Sequence, residues 1–193
     1  MKKILCLIII FSFLTLFASA QTQKGWYLIG GDLSDMSLNL QSGNTAFSFN
    51  IEPKVAWFVS NNFAIGGQVL AGINTSNGYT AFNYGIGPLA RYYMPAKGTM
   101  VKKSRIFFEG NVGVNGQNVK VTGSPSTNTN GFGLGIGPGY SYFINQNVAL
   151  EALLKYNLSA GFGNSTTNNA ITLGIGFQIY LPGSKVKSEL KGM

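Results

Sequence analysis

The chain has 193 residues, no histidine, one cysteine, and six acidic against fourteen basic side chains. Charged residues make up 10% of it, against about 25% in an ordinary soluble domain, while glycine, tyrosine and phenylalanine are abundant. The basic residues do not gather beside aromatics on one face, as nucleic-acid binding requires, and the missing histidine removes the commonest general base and metal ligand. Nucleic acid is therefore excluded as a partner.

Residues 1–20 have the anatomy of a cleaved secretory signal: Lys2 and Lys3, the apolar run Ile4 to Phe17, then Ala18, Ser19 and Ala20 as the small-residue cleavage site. The apolar run is too short for a membrane helix. Cys6 falls inside this leader, so the mature chain carries no thiol, and without Lys2 and Lys3 its twelve basic and six acidic residues give +6.

Alternation of apolar and polar residues then predicts eight strands. The first lies near Trp26 to Leu33. In the second, Phe47, Phe49, Ile51, Pro53, Val55, Trp57 and Val59 share one face, opposite Ser48, Asn50, Glu52, Lys54 and Ala56. The pattern recurs around Ile65 and Val69, around Ile86 and Arg91, and around Phe108 and Glu109. Phe132 to Tyr142 oppose a glycine row (Gly133, Gly135, Gly137, Gly139); Leu150 and Leu154 oppose Glu151 and Lys155; Ile171 to Leu181 close the set. Three phrases repeat: Pro53 to Phe58, Pro88 to Tyr93 and Pro138 to Phe143, each a proline followed four and five residues later by two aromatics. Trp57, Phe58, Tyr92, Tyr93, Tyr142 and Phe143 are thereby expected at a membrane boundary, and each proline is expected at a β-bulge, since it cannot donate to a ladder.

The charges decide which face is inside. Glu52, Lys54, Arg91, Glu109, Glu151 and Lys155 lie on the polar faces and sum to zero. Facing lipid, each base near the midplane would cost about 2–4 kcal/mol; inside a narrow barrel the six can pair. This predicts an all-β, eight-stranded, antiparallel up-and-down transmembrane β-barrel over residues 21–181, followed by a basic tail over 182–193. The inward glycines are expected to make room for large neighbouring side chains. A soluble ligand-carrying barrel would invert the faces, and a narrow conduit for small solutes would need an open lumen, which eight strands hardly leave.

The turns Val59 to Phe63 and Ile144 to Val148 mark one rim, read as periplasmic with both termini. Ser34 to Asn44, Asn74 to Thr80, Gly116 to Asn130 and Ser159 to Asn169, rich in Ser, Thr, Asn and Gly, are predicted as surface loops that could meet an extracellular partner. Lys97, Lys102, Lys103, Arg105 and the tail's Lys185, Lys187 and Lys191 make the periplasmic side basic.

The run Pro53 to Gly66, with Pro88 to Tyr93 and Tyr142 to Leu150, resembles the outer membrane protein beta-barrel domain family. The resemblance implies a barrel of the bacterial outer membrane, similar to the small OmpA and OmpX barrels, with outer-membrane lipids around it. The closing strand Thr172 to Ile179 resembles the signal read by the barrel assembly machinery, which implies that machinery as a partner during insertion. Ser48, Ser141 and Thr172 lack a histidine base, and the acids are matched by bases; no catalytic site, no metal site, no cofactor and no enzymatic activity are expected.

Overall fold

The computed structural model describes residues 22–41, 44–95, 103–161, 167–184 and 186. The 1–20 leader, Lys97, Lys102, Lys185 and the 187–193 part of the tail lie outside the described residues. Eight antiparallel strands close on one another in chain order: β1 (Tyr27–Gln41), β2 (Asn44–Ser60), β3 (Phe63–Ser76), β4 (Tyr79–Tyr93), β5 (Ser104–Val121), β6 (Thr127–Phe143), β7 (Val148–Gly161) and β8 (Thr167–Leu181). The lower rim holds both strand ends, Tyr27 and Leu181, and the tight β2–β3 and β6–β7 turns. In the first turn Asn62 has φ 67°, and its side chain accepts a hydrogen bond from the Thr22 hydroxyl at 2.7 Å.

The wall follows the alternation. On β6 every outward residue from Phe132 to Tyr142 is exposed and every inward one, from Gly131 to Phe143, is buried. Three of the even-numbered strands carry a further regularity. On β2, β4 and β6, though not on β8, outward aromatics stand ten residues apart: Phe47 and Trp57, Phe82 and Tyr92, Phe132 and Tyr142. With a rise of about 3.3 Å per residue and a tilt of about 40°, ten residues span about 25 Å of height, the thickness of an outer-membrane apolar band between its aromatic girdles.

The structure departs from the sequence reading in four places. Phe58, Tyr93 and Phe143 are not boundary aromatics: each is at most 4% exposed inside the barrel, because the residue after an outward aromatic must point inward. The prolines make no bulges. The β2–β3 ladder skips from Ile51↔Ala71 to Lys54↔Gln68, the β4–β5 ladder from Ile86↔Val114 to Leu89↔Asn111, and the β6–β7 ladder from Ile136↔Tyr156 to Gly139↔Leu153, each resuming in unchanged register. In an antiparallel ladder one residue's N and C=O address the same neighbour, so each proline weakens only the ladder on its downstream side. Its other ladder is intact: Pro53 pairs Gly31, Pro88 pairs Gly67 and Pro138 pairs Phe108.

The third departure is β1, which continues past Leu33 to Gln41. A bulge between Ser34 and Ser37, with Asp35 at φ 53°, inserts one residue and inverts the phase, so that Leu38 faces outward beside Phe47. Fourth, most of each expected upper loop is strand: β3 and β4 meet at Asn77 and Gly78, and β5 runs to Val121 before a short connection to Thr127.

Candidate functional site: the filled lumen

The lumen is built in layers. Its floor is aromatic: Phe58, Tyr93, Phe107, Phe143 and Tyr180 come from five different strands, are all buried, and stack with ring centroids 5.1–6.3 Å apart. Leu28, Ala56, Ala64, Leu89, Ala149 and Leu153 fill the space around them.

The charged layer lies on this floor. Arg91 Nη2 and Nε donate to Glu109 Oε2 at 2.6 and 2.8 Å, and Arg91 Nη1 donates to Glu151 Oε2 at 2.6 Å. The guanidinium also sits 4.1 Å from the centroid of Phe107, close enough for a cation–π contact. Lys54 Nζ bridges Asp32 Oδ2 (2.6 Å) and Glu109 Oε1 (2.8 Å), and Lys155 pairs with Glu52 (2.5 Å). Neutral donors complete the carboxylates: Ser141 and Tyr180 hydroxyls bond Glu151 Oε1 at 2.6 and 2.8 Å, Gln178 bonds Asp32, and Ser34 bonds Glu52. All six sequence-predicted charges are therefore brought together on inward positions. Asp32 is the member that the sequence reading missed, although Ile29, Gly31 and Leu33 on the opposite face put it inside. With Asp32 the ion-paired cluster holds four acids and three bases, a net charge of −1.

The glycines are the counterpart of these large side chains. A Cβ at Gly139 would meet the Phe107 ring, one at Gly133 the Asn115 amide, and one at Gly176 the Asp32 carboxylate. Among the described residues the space beside these charges is small: a pocket of about 60 Å³ bordered by Glu52, Gln68, Asn111 and Lys155, and one of about 10 Å³ beside Asp32 and Thr172. The first has room for about two waters.

Above the charges the lumen continues as a polar vestibule that holds the Asp35 carboxylate. Gln117 donates to Asn83 (2.8 Å), Asn157 to Thr172 (2.9 Å), and Asn50 to the Asp35 carboxylate (2.6 Å). Among the described residues no three His, Cys, Asp or Glu gather as a metal-binding group. The Ser141 hydroxyl is fully buried and held by Glu151, and the Ser34 hydroxyl is buried and held by Glu52. Arg105 is buried at the lower rim, and Lys103 is exposed beside it.

Comparison with known proteins places this geometry. The family model described as "Outer membrane protein beta-barrel domain" matches residues 5–179. Among solved structures the chain is similar to Neisserial surface protein A, at 20% identity and a TM-score of 0.58 over 82% of this chain and 97% of that one. It is also similar to the outer membrane protein OprG of Pseudomonas aeruginosa, at 15% identity and a TM-score of 0.51 over 83% and 98%. Ail, the attachment invasion locus protein of Yersinia pestis, aligns at 12% identity and a TM-score of 0.50 over 82% and 100%. Comparison with curated proteins gives no significant match.

Proposed function

The chain belongs to the outer membrane protein beta-barrel domain family, and from that premise we propose that it is a non-catalytic, non-conducting barrel with a structural or surface-interaction role. The filled lumen carries this reading. An aromatic floor lies under a seven-member ion-paired layer, and among the described residues the pockets beside that layer hold about 60 and 10 Å³, whereas a conduit needs a continuous aqueous path. Of the inward glycine row, which would favour a conduit if it lined open space, Gly133, Gly135 and Gly139 are covered by neighbouring side chains and Gly137 lies against the β7 backbone.

The lower rim faces the periplasm in this reading. There the leader is removed, the exposed Lys103 meets anionic headgroups, and β8 is presented to the barrel assembly machinery during insertion. The apolar band between the two girdles contacts outer-membrane lipid, and the upper ends of the strands, rich in Ser, Thr and Asn, offer hydrogen bonds to an extracellular partner.

Single-channel conductance in a planar bilayer tests the proposal, with heat-modifiable gel migration as proof of insertion. Inserted but silent barrels are expected; steady openings would transfer the assignment to a narrow conduit.

A further inference from the structure

The barrel wall is not equally closed all round. The ladder joining β5 to β6 has sixteen residue pairs, but the one joining β1 to β8 has seven, from Tyr27↔Leu181 to Leu33↔Ile175. Among the described residues, β1 above Leu33 pairs only with β2, and β8 above Ile175 pairs only with β7. The open stretch reaches into the apolar band, because Leu38 stands directly opposite Phe47 of the upper girdle. Exposed apolar side chains flank it on the outside: Met36 and Leu38 are 71% and 63% exposed, Ile171 and Leu173 73% and 60%. On the inside it meets polar groups: Ser34, Asn50, Thr172 and the Asp35 carboxylate, whose hydrogen-bond partner is Asn50 rather than a base.

Unpaired backbone at membrane depth is tolerated only where it borders water, so this seam must be hydrated from the vestibule on one side while hydrocarbon lies on the other. We infer that the upper β1–β8 seam is a lateral port that seats an amine-headed phospholipid, its head in the vestibule and an acyl chain along Met36, Leu38, Ile171 and Leu173. The tail position follows from the exposed apolar flanks. The head chemistry follows from charge: the ion-paired cluster below is net negative, and Asp35 adds an unmatched carboxylate at the mouth. Amine N–H groups can also donate to strand-edge carbonyls that no ladder pairs; the Asp35 carbonyl is already taken by the Ser48 hydroxyl (2.8 Å). The inference goes beyond the proposed function, and its tests do not depend on conductance.

Two experiments decide it. In the leaderless protein, which contains no other cysteine, Leu33→Cys with Ile175→Cys should cross-link readily, as directly opposed residues do. Leu38→Cys with Ile171→Cys, which would face each other if the ladder continued past the bulge, should not. Ready cross-linking of the second pair means that the seam zips shut and overturns the port. For the occupant, the protein is reconstituted in nanodiscs of equal phosphatidylethanolamine and phosphatidylglycerol with identical acyl chains, and retained lipid is counted by native mass spectrometry. Phosphatidylethanolamine should be enriched about threefold, the scale of one exposed ion pair, and Asp35→Asn should return the ratio to that of the bilayer. Equal retention of both lipids, or a dimer in place of a lipid-bound monomer, overturns the assignment; the dimer would name a second copy of the chain as the occupant.

Discussion

The hydroxyls of Tyr93 on β4 and Tyr180 on β8, 87 residues apart in the chain, lie 2.7 Å apart on the barrel floor. Their neighbours fix the direction of the bond. Arg91 Nη1 donates to the Tyr93 oxygen (2.9 Å), and Tyr180 gives its proton to Glu151 Oε1 (2.8 Å), so Tyr93 is the donor to Tyr180. Since Arg91 Nη1 also donates to Glu151 Oε2, the four groups close a ring that ties β4, β7 and the last strand together.

Removing the Tyr180 hydroxyl opens this ring at its worst point. Tyr180→Phe leaves the buried Tyr93 O–H without an acceptor and takes one donor from Glu151, so it should destabilise the barrel by about 1–3 kcal/mol. Tyr93→Phe should cost less, because Arg91 and Tyr180 both keep Glu151 as a partner. Denaturant midpoints in lipid vesicles measure both, and equal effects would show that the ring is not formed as described.

Arg91 serves two carboxylates at once, so its loss leaves more than a missing bond. Arg91→Met strips Glu151 of its base and Glu109 of one of two, and the orphaned buried charge should cost about 3–5 kcal/mol. Adding Glu151→Gln should recover part of that loss, since it removes the charge that the first substitution orphaned. An unchanged midpoint for Arg91→Met alone would mean that the ionic layer contributes nothing to stability.

Where both faces of a strand meet different solvents, the sequence reads plainly; where they do not, it misleads. From Phe47 to Val59 one face meets lipid and the other a charged lumen, and the alternation is unbroken. At Ser34 to Gln41 the bulge at Asp35 inverts the phase, so a strict period of two stops at Leu33 although the strand does not. In the upper halves of β5 and β6 polar residues stand on both faces, as do Gln117, Asn118 and Lys120 and the run Thr127 to Asn130, and such a strand is hard to tell from a loop by composition. The paired aromatics misled for a simpler reason. Trp57 and Phe58 are adjacent, so one marks the lipid boundary and the other the floor. The ten-residue spacing of Phe47 and Trp57, repeated on two more strands, was present in the sequence as a measure of band height.

The glycine row gives a separate test of how the lumen is filled. Gly139→Val should place its side chain against the Phe107 ring and cost about 1–3 kcal/mol through overpacking. Phe107→Ala alone should cost about 3–5 kcal/mol through the cavity it leaves. If the two residues share one space, the double variant should be more stable than the sum of the single losses, and the size of that departure measures the contact. Strict additivity would mean that Gly139 borders open lumen.

Depth-dependent quenching separates the two members of an aromatic pair. With Trp26→Phe removing the other native tryptophan, Trp57 reports from the outer wall and should be quenched by lipids brominated near the headgroup more than by lipids brominated near the chain end. In a Trp26→Phe, Trp57→Phe background, Phe58→Trp moves the reporter one residue along the strand and through the wall, into the ring stack with Tyr93 and Tyr180. No brominated lipid should then quench it. The comparison is demanding because the two positions differ little in height, so only the side of the sheet can change the signal. Quenching of both would place the second aromatic in lipid, remove the floor of the lumen, and with it the physical ground for a silent barrel.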